Sequence, residues 1–303
     1  MPISVGRLSA GKVNRPTIIA YNKSNKRSVL LTDQTQTQTQ TQVQVHFAHA
    51  NSFPAGSYRK LFKALPSHFQ VLALEKFGHT SRFPISGNWL NPAAELIDFV
   101  ERSNTAPVYA IGHSFGAVIS YIAVCKRPDL FKGLIMLDPP LITGLTRLMF
   151  KLLKFTPLVD KITGAGKTEI RCKSWAQNTD IVAYFKARSL FKNMDDECVK
   201  DYVDAVTELN KGHYNLSFDT DVEANIFRNV PHNINSYNGQ LKVPSLLVTG
   251  QYTTVCIPRL INPFVKATKI EHKRFANGGH MFPLEAPIKT AELIASTINQ
   301  WES

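Results

Sequence analysis

Gly112-His113-Ser114-Phe115-Gly116 is the stretch of this chain in which residue types and spacing bear most directly on chemistry. A short apolar run, Val108 to Ile111, leads into it. A run that is apolar nearly all round, Ala117 to Cys125, follows and stops at Arg127-Pro128. That order predicts a strand, a sharp turn and a buried helix. A serine on such a turn needs small residues two places before and two after it, because larger side chains would meet the adjoining strand and helix. The turn lifts the Ser114 hydroxyl above the sheet edge and aims the first free N–H groups of the helix at whatever the hydroxyl attacks. A serine hydroxyl is a weak nucleophile until an imidazole takes its proton, so the chemistry also requires a histidine delivered from elsewhere in the chain.

The elements that must hold this turn are read from pattern. Val43–Ala48, Phe69–Glu75, Phe131–Asp138, Val243–Thr249 and Ile270–Ala276 read as strands, and Ser57–Leu65, Ala93–Arg102 and the C-terminus as helices. Strands alternating with helices pair in parallel through right-handed crossovers and put a site at their carboxyl ends. Residues 1–138 and 241–303 are therefore expected to form an α/β core, a mostly parallel sheet with helices on both faces. Residues 139–240 interrupt the strand pattern and are expected to be a helical cap. There Leu145, Leu148, Met149, Leu152 and Leu153 share a helical face, with Arg147, Lys151 and Lys154 on the other. The expected arrangement turns the apolar face inward, contact with a membrane surface being the alternative. Phe185, Leu190 and Phe191 are expected to pack within the cap, and Asp195-Asp196-Glu197 to open a helix rather than bind a metal.

Composition narrows the class. With 303 residues, 44% hydrophobic and 19% charged, the chain is an ordinary globule. No apolar run reaches the ~18 residues that span a bilayer. Cys125, Cys172, Cys198 and Cys256 have no C-x-x-C spacing, which favours free thiols, a reducing compartment and a cytoplasmic location over a disulfide framework or zinc site. The net charge of +12 raises nucleic acid or anionic lipid as partners, yet the basic residues are scattered and no aromatic-interleaved run accompanies them. A solvated basic surface and no nucleic-acid partner are expected, an acidic substrate being the alternative. Residues 1–32 lack Asp and Glu but have no apolar secretion segment; Thr17–Tyr21 and Ser28–Leu31 are read as two antiparallel edge strands. The Gln-Thr tract from Thr32 to Gln42 either extends a hairpin or forms a turn, and no function is assigned to it.

The order of His49-Ala50-Asn51, Gly78-His79, Gly112-x-Ser114-x-Gly116 and Gly278-Gly279-His280 resembles the strand-end motifs of the α/β-hydrolase superfamily, from about residue 17 to the C-terminus. The resemblance implies the α/β-hydrolase fold, Ser114 as nucleophile, His280 as general base, and the backbone N–H groups of Phe115 and Asn51 as an oxyanion hole. His280 suits that role, on a loop after the last expected strand and before the terminal helix. Ala50 stands where family enzymes often have glycine, and the Asn51 side chain is a candidate extra donor. His49, His79 and His113 read as structural donors near strand ends.

The acid departs from the common pattern. Many relatives carry it after the seventh strand, but the loop here is Gly250-Gln-Tyr-Thr-Thr-Val-Cys-Ile-Pro258, and no Asp or Glu lies between Glu223 and Glu271. Either the acid comes from elsewhere or the pair acts as a dyad. Asp138 is the substitute, ending the sixth strand of the family order; some branches, haloalkane dehalogenases among them, place their acid there. Glu75 at another strand end is the second choice. Dehalogenation itself is disfavoured, because it needs a carboxylate nucleophile and this elbow carries serine. The reading is a capped serine hydrolase of an ester, thioester or similar acyl bond in a small hydrophobic substrate, with no metal or organic cofactor. A C–C or lactone hydrolase using the same residues, and a non-catalytic ligand receptor on the same fold, stand as alternatives.

Overall fold

The computed structural model describes residues 18–21, 42–103, 107–144, 146–154, 156, 158–169 and 171–303. Its strands are β1 (Ile18–Tyr21), β2 (Val43–Ala48), β3 (Phe69–Leu74), β4 (Val108–His113), β5 (Phe131–Leu137), β6 (Ser174–Ala176), β7 (Thr207–Asn210), β8 (His213–Leu216), β9 (Ser245–Gly250) and β10 (Glu271–Phe275). The first helices are α1 (Arg59–Ala64), α2 (Leu90–Ser103) and α3 (Phe115–Lys126). Between β5 and β9 come α4 (Thr146–Leu153), α5 (Leu158–Thr163), α6 (Ala165–Glu169), α7 (Ile181–Lys186), α8 (Asp196–Val206) and α9 (Thr220–Arg228). The chain closes with α10 (Pro258–Thr268), α11 (Phe282–Glu285) and α12 (Pro287–Glu302).

Seven strands form one sheet in the order β1-β3-β2-β4-β5-β9-β10, parallel except for β1, which runs antiparallel along β3 at the edge. One of the two expected N-terminal edge strands is therefore in place; Ser28–Leu31 and most of the Gln-Thr tract lie outside the described residues. Side chains alternate across the pleat as period 2 requires. Val45, Phe47, Tyr109, Ile111, Ile135, Leu137, Leu246 and Val248 enter one core with residues of α12. Leu72, Leu74, Val108, Ala110, Leu134, Met136 and Leu247 enter the other, beneath α2, α3 and α10. Burial on both faces is why these strands read as nearly unbroken apolar runs.

The strand order reverses between β2 and β4. The chain leaves β2 to build β3 on one side and returns to build β4 on the other, with Ala48 opposite Gly112. Such a reversal leaves a crevice at the carboxyl ends of the two strands, and there the loops after β2 and β4 meet.

Residues between β5 and β9 carry the expected helices and also a three-stranded antiparallel sheet, β6-β8-β7. Its hairpin turns on Lys211 (φ 48°) and Gly212 (φ 76°), the paired positive φ of a tight primed turn. With strands of three or four residues, only that glycine marked it in the sequence. Asp195 does open a helix, its carboxylate accepting from the N–H groups of Glu197 and Cys198 at 3.0 and 3.4 Å. Phe185 and Phe191 are buried while Leu190 is exposed. The expectation for α4 is not met: Leu148, Met149 and Leu152 face solvent, Leu153 is half-buried and Phe150 supplies the buried contact, while Leu145 lies outside the described residues.

Three histidines are sealed in the core without charge. Burial pushes His46 and His113 down to about 3 and His49 to about 4. The unfolded chain protonates them near pH 6.5. Their stabilising contribution is therefore complete above that pH and is lost as pH falls through the depressed values. Glu95 opposes this, because burial raises its carboxyl to about 7, so its contribution is complete below about pH 4.5 and is lost as pH rises through 7. Urea midpoints are expected to fall from pH 6.5 toward pH 4 with net proton uptake. His46→Leu should reduce that uptake, since neither His46 ring nitrogen has a partner among the described residues.

Candidate active site

β4 delivers Ser114 on a turn with φ 53° and ψ −117°, a conformation that costs a non-glycine residue on the order of 1–3 kcal/mol and persists only where packing enforces it. The enforcement is visible at both glycines. A Cβ on Gly112 would lie 2.3 Å from the Gly116 carbonyl oxygen, and one on Gly116 would lie 2.0 Å from that of Ala48. The end of β2 thus presses on the start of α3, which sets the loop Ala50–Phe53 beside Ser114. Phe115, first in α3, has an N–H with no helical acceptor. Among the described residues neither its amide nor that of Asn51 meets a backbone acceptor.

His280 arrives on the loop after β10. That loop passes directly over Gly250, where a Cβ would sit 2.3 Å from the Gly279 oxygen. The Ser114 hydroxyl lies 3.1 Å from His280 Nε2, and His280 Nδ1 lies 2.6 Å from Asp138 Oδ2. A carboxylate only accepts, so Nδ1 carries the proton and Nε2 is left to accept from Ser114. Asp138 follows directly on β5 in a positive-φ turn (47°) and is fully buried. The Gly250 N–H donates to its Oδ1 at 2.8 Å and the Thr253 hydroxyl to its Oδ2 at 2.6 Å. The loop that lacks an acid therefore supplies the donors that hold one from the neighbouring strand. Glu75 is not part of this group; its carboxylate lies beside Gly56.

The structural histidines anchor the surrounding loops. His113 Nε2 donates to the His280 carbonyl at 2.9 Å, and the Tyr58 hydroxyl, 2.8 Å from His113 Nδ1, accepts from the Ala50 N–H at 3.1 Å. One buried imidazole so ties the His280 loop to the loop after β2. His49 Nδ1 donates to the Ala50 carbonyl at 2.8 Å while its Nε2 accepts from the Phe77 N–H at 3.2 Å. His79 links the Phe77 carbonyl to the Asp219 N–H that begins the approach to α9.

A cavity of about 870 Å³ opens over Ser114 and His280. Asn51 and Ser52 lie on one side; Trp175, Phe185, Phe191 and Phe227 are among the aromatic residues on the other. An arginine–glutamate pair lies in its wall, alongside Arg188, and was not legible in the sequence. Arg171 Nη1 lies 3.0 Å from both Glu223 oxygens, and its Nη2 donates to the Tyr202 hydroxyl at 3.0 Å. Glu223 also accepts from the Ser52 hydroxyl, and its carbonyl accepts from the Asn51 carboxamide at 3.0 Å. The Asn51 side chain is thus engaged in holding α9 to the loop after β2. Burial raises the Glu223 carboxyl above the usual carboxylate range.

This strand order, elbow and histidine loop define an α/β-hydrolase. A model of the alpha/beta hydrolase family matches residues 47–293, and the chain belongs to that family. Among curated proteins, none matches it in sequence. Similar solved structures include the thioesterase domain from the curacin biosynthetic pathway, at 17% identity over 92% of this chain and 94% of that one, TM-score 0.67. The peroxisomal alpha-beta-hydrolase Lpx1 from Saccharomyces cerevisiae is similar at 17% identity over 88% and 77%, TM-score 0.69. E-2-(acetamidomethylene)succinate hydrolase is similar at 15% identity over 85% and 91%, TM-score 0.67. At such identities the likeness is one of fold.

Removing one partner of a buried ion pair strands the other charge. Glu223→Ala is expected to cost about 3 kcal/mol in urea unfolding, and adding Arg171→Met should recover part of that loss. Additive losses in the double variant would show that the two side chains act separately.

Proposed function

We propose that this protein is a serine hydrolase that cleaves an ester, thioester or related acyl bond of a hydrophobic substrate through an acyl-enzyme. The observation that carries the reading is the run Ser114 Oγ, His280 Nε2, His280 Nδ1, Asp138 Oδ2, with separations of 3.1 and 2.6 Å, beneath an aromatic-walled cavity. In this reading His280 Nε2 takes the Ser114 proton as the hydroxyl oxygen bonds to the substrate carbonyl carbon. Asp138 keeps the imidazole in the tautomer that can do so and stabilises the imidazolium. The negative charge formed on the carbonyl oxygen is held by the N–H groups of Phe115 and Asn51, which among the described residues have no backbone acceptor to give up. Collapse of the tetrahedral intermediate expels the leaving group, which takes the proton from His280. Water activated by the same nitrogen then releases the acid and restores Ser114. No metal or organic cofactor is needed for these steps.

The division of labour follows from the chain order. Residues 1–138 with 241–303 act as the catalytic core and 139–240 as a cap that selects the substrate, consistent with the aromatic cavity wall contributed by that segment. The unpaired cysteines support a cytoplasmic protein. Its partner is a small acyl substrate rather than nucleic acid.

Labelling by a fluorophosphonate probe between about pH 5 and 9 tests the reading. The parent should label, Ser114→Ala should not, and Asp138→Asn should label on the order of 10⁴-fold more slowly. Thr253→Val removes a hydroxyl donor from the buried carboxylate and should slow labelling roughly tenfold. A parent that does not label refutes the serine mechanism and favours ligand binding under the cap; full labelling by Asp138→Asn refutes the acid assignment alone.

A further inference from the structure

α4 presents an apolar surface to solvent. At 100° per residue, Leu148, Met149 and Leu152 fall on one arc, and they are 54, 59 and 74% exposed. Leu158 at the start of α5 adds a fourth exposed aliphatic side chain, while Phe150 on the opposite arc is buried in the core beneath α10. Arg147, Lys151 and Lys154 recur at i, i+4 and i+7 on the flank between Phe150 and the exposed arc, Lys151 exposed and Arg147 and Lys154 half-buried. They lie together in space as well: after burial, these three cations are what lowers the pKa of the His232 imidazole. No Asp or Glu occurs from Pro139 to Val159, and the next acid, Asp160, is engaged by Arg228 at 2.7 and 2.9 Å. The patch therefore combines exposed aliphatic side chains with basic side chains that form no ion pair among the described residues.

We infer that α4 and the start of α5 are a docking surface for an anionic lipid bilayer. Bilayers take up helices whose aliphatic arc enters the acyl boundary while lysine and arginine beside it meet lipid phosphates and carboxylates. A second copy of the chain is a poor occupant, since a two-fold contact would set this basic stripe against itself in a molecule of net charge +12. A protein partner is also poorly matched: the exposed apolar side chains are Leu and Met, without the tyrosine or tryptophan anchors that concentrate protein binding energy. α5 packs on α6 and α9, which contribute Thr168, Glu223 and Phe227 to the cavity wall, so a docked protein would hold the cavity near the lipid surface.

Sedimentation of the full chain with vesicles tests the inference, and its readout does not depend on the serine mechanism. The parent should bind phosphatidylcholine vesicles containing phosphatidylserine, bind pure phosphatidylcholine far more weakly, and lose affinity at high salt. Arg147→Gln with Lys151→Gln and Lys154→Gln should weaken binding about a hundredfold. Leu148→Ser with Met149→Ser and Leu152→Ser should weaken it at least tenfold. Ile288→Ser, at an exposed aliphatic position on α12, should bind like the parent. Matching circular dichroism melts for all variants would show that each is folded. Absence of binding to the anionic vesicles, or unchanged binding by either triple variant, overturns the inference. So does a lipid-free dimer of the parent that the leucine variant dissociates, because the patch would then be a contact between copies.

Discussion

The Asp138 carboxylate has no exposed surface, and a charge removed from water persists only where donors replace the hydration it lost. Three donors do so, from two loops of the chain: the Gly250 N–H and the Thr253 hydroxyl after β9, and the His280 ring after β10. Much of the architecture follows from bringing them together. β9 must lie beside β5 so that its following loop reaches over Asp138, and β10 must lie beyond β9 so that the His280 loop can return across Gly250. A side chain at Gly250 would drive those two loops apart, so the glycine is as much a part of the carboxylate's environment as the donors are.

The elbow is a second convergence with the same logic. Ser114 adopts a strained backbone because β2, β4 and α3 meet within contact distance at Gly112 and Gly116. His113 and Tyr58 then join the loops on either side into one buried hydrogen-bonded path. Such a path has few alternative arrangements, since every polar atom in it would lose a partner on moving. The loop after β2, by contrast, takes part of its support from α9 through Glu223, so the geometry near Asn51 depends on how the segment between β5 and β9 is seated.

What was legible in the sequence was whatever has a local steric or periodic cause. The glycines flanking Ser114 follow from crowding at a single turn, and the strands announce themselves through two-sided burial. Asp138 was found by elimination, through an acid-free stretch from Asn225 to Ile270. The role of Thr253 as its donor was not, because that contact depends on two strands being neighbours. The Glu223–Arg171 pair joins residues 52 positions apart on different helices or loops, and no spacing rule links them. For α4 the periodicity identified two faces without fixing which one turns inward. Phe150 decided that, since one large aromatic side chain found a place in the core and the smaller aliphatic ones were left outside.

The cavity wall has two origins in the chain. Ala50–Phe53, Ser114, Val255, His280 and Met281 come from the sheet and its end loops, whereas every other lining residue, from Gly164 to Phe227, comes from between β5 and β9. Ser114, His280 and Asp138 are fixed by strand order, which tolerates little change. The remaining wall is built from short helices and aromatic side chains, whose replacement alters volume and shape without moving Ser114 or His280. A chain organised in this way can change what its cavity accepts by substitution in one contiguous segment, provided that Glu223 continues to seat that segment against the loop after β2.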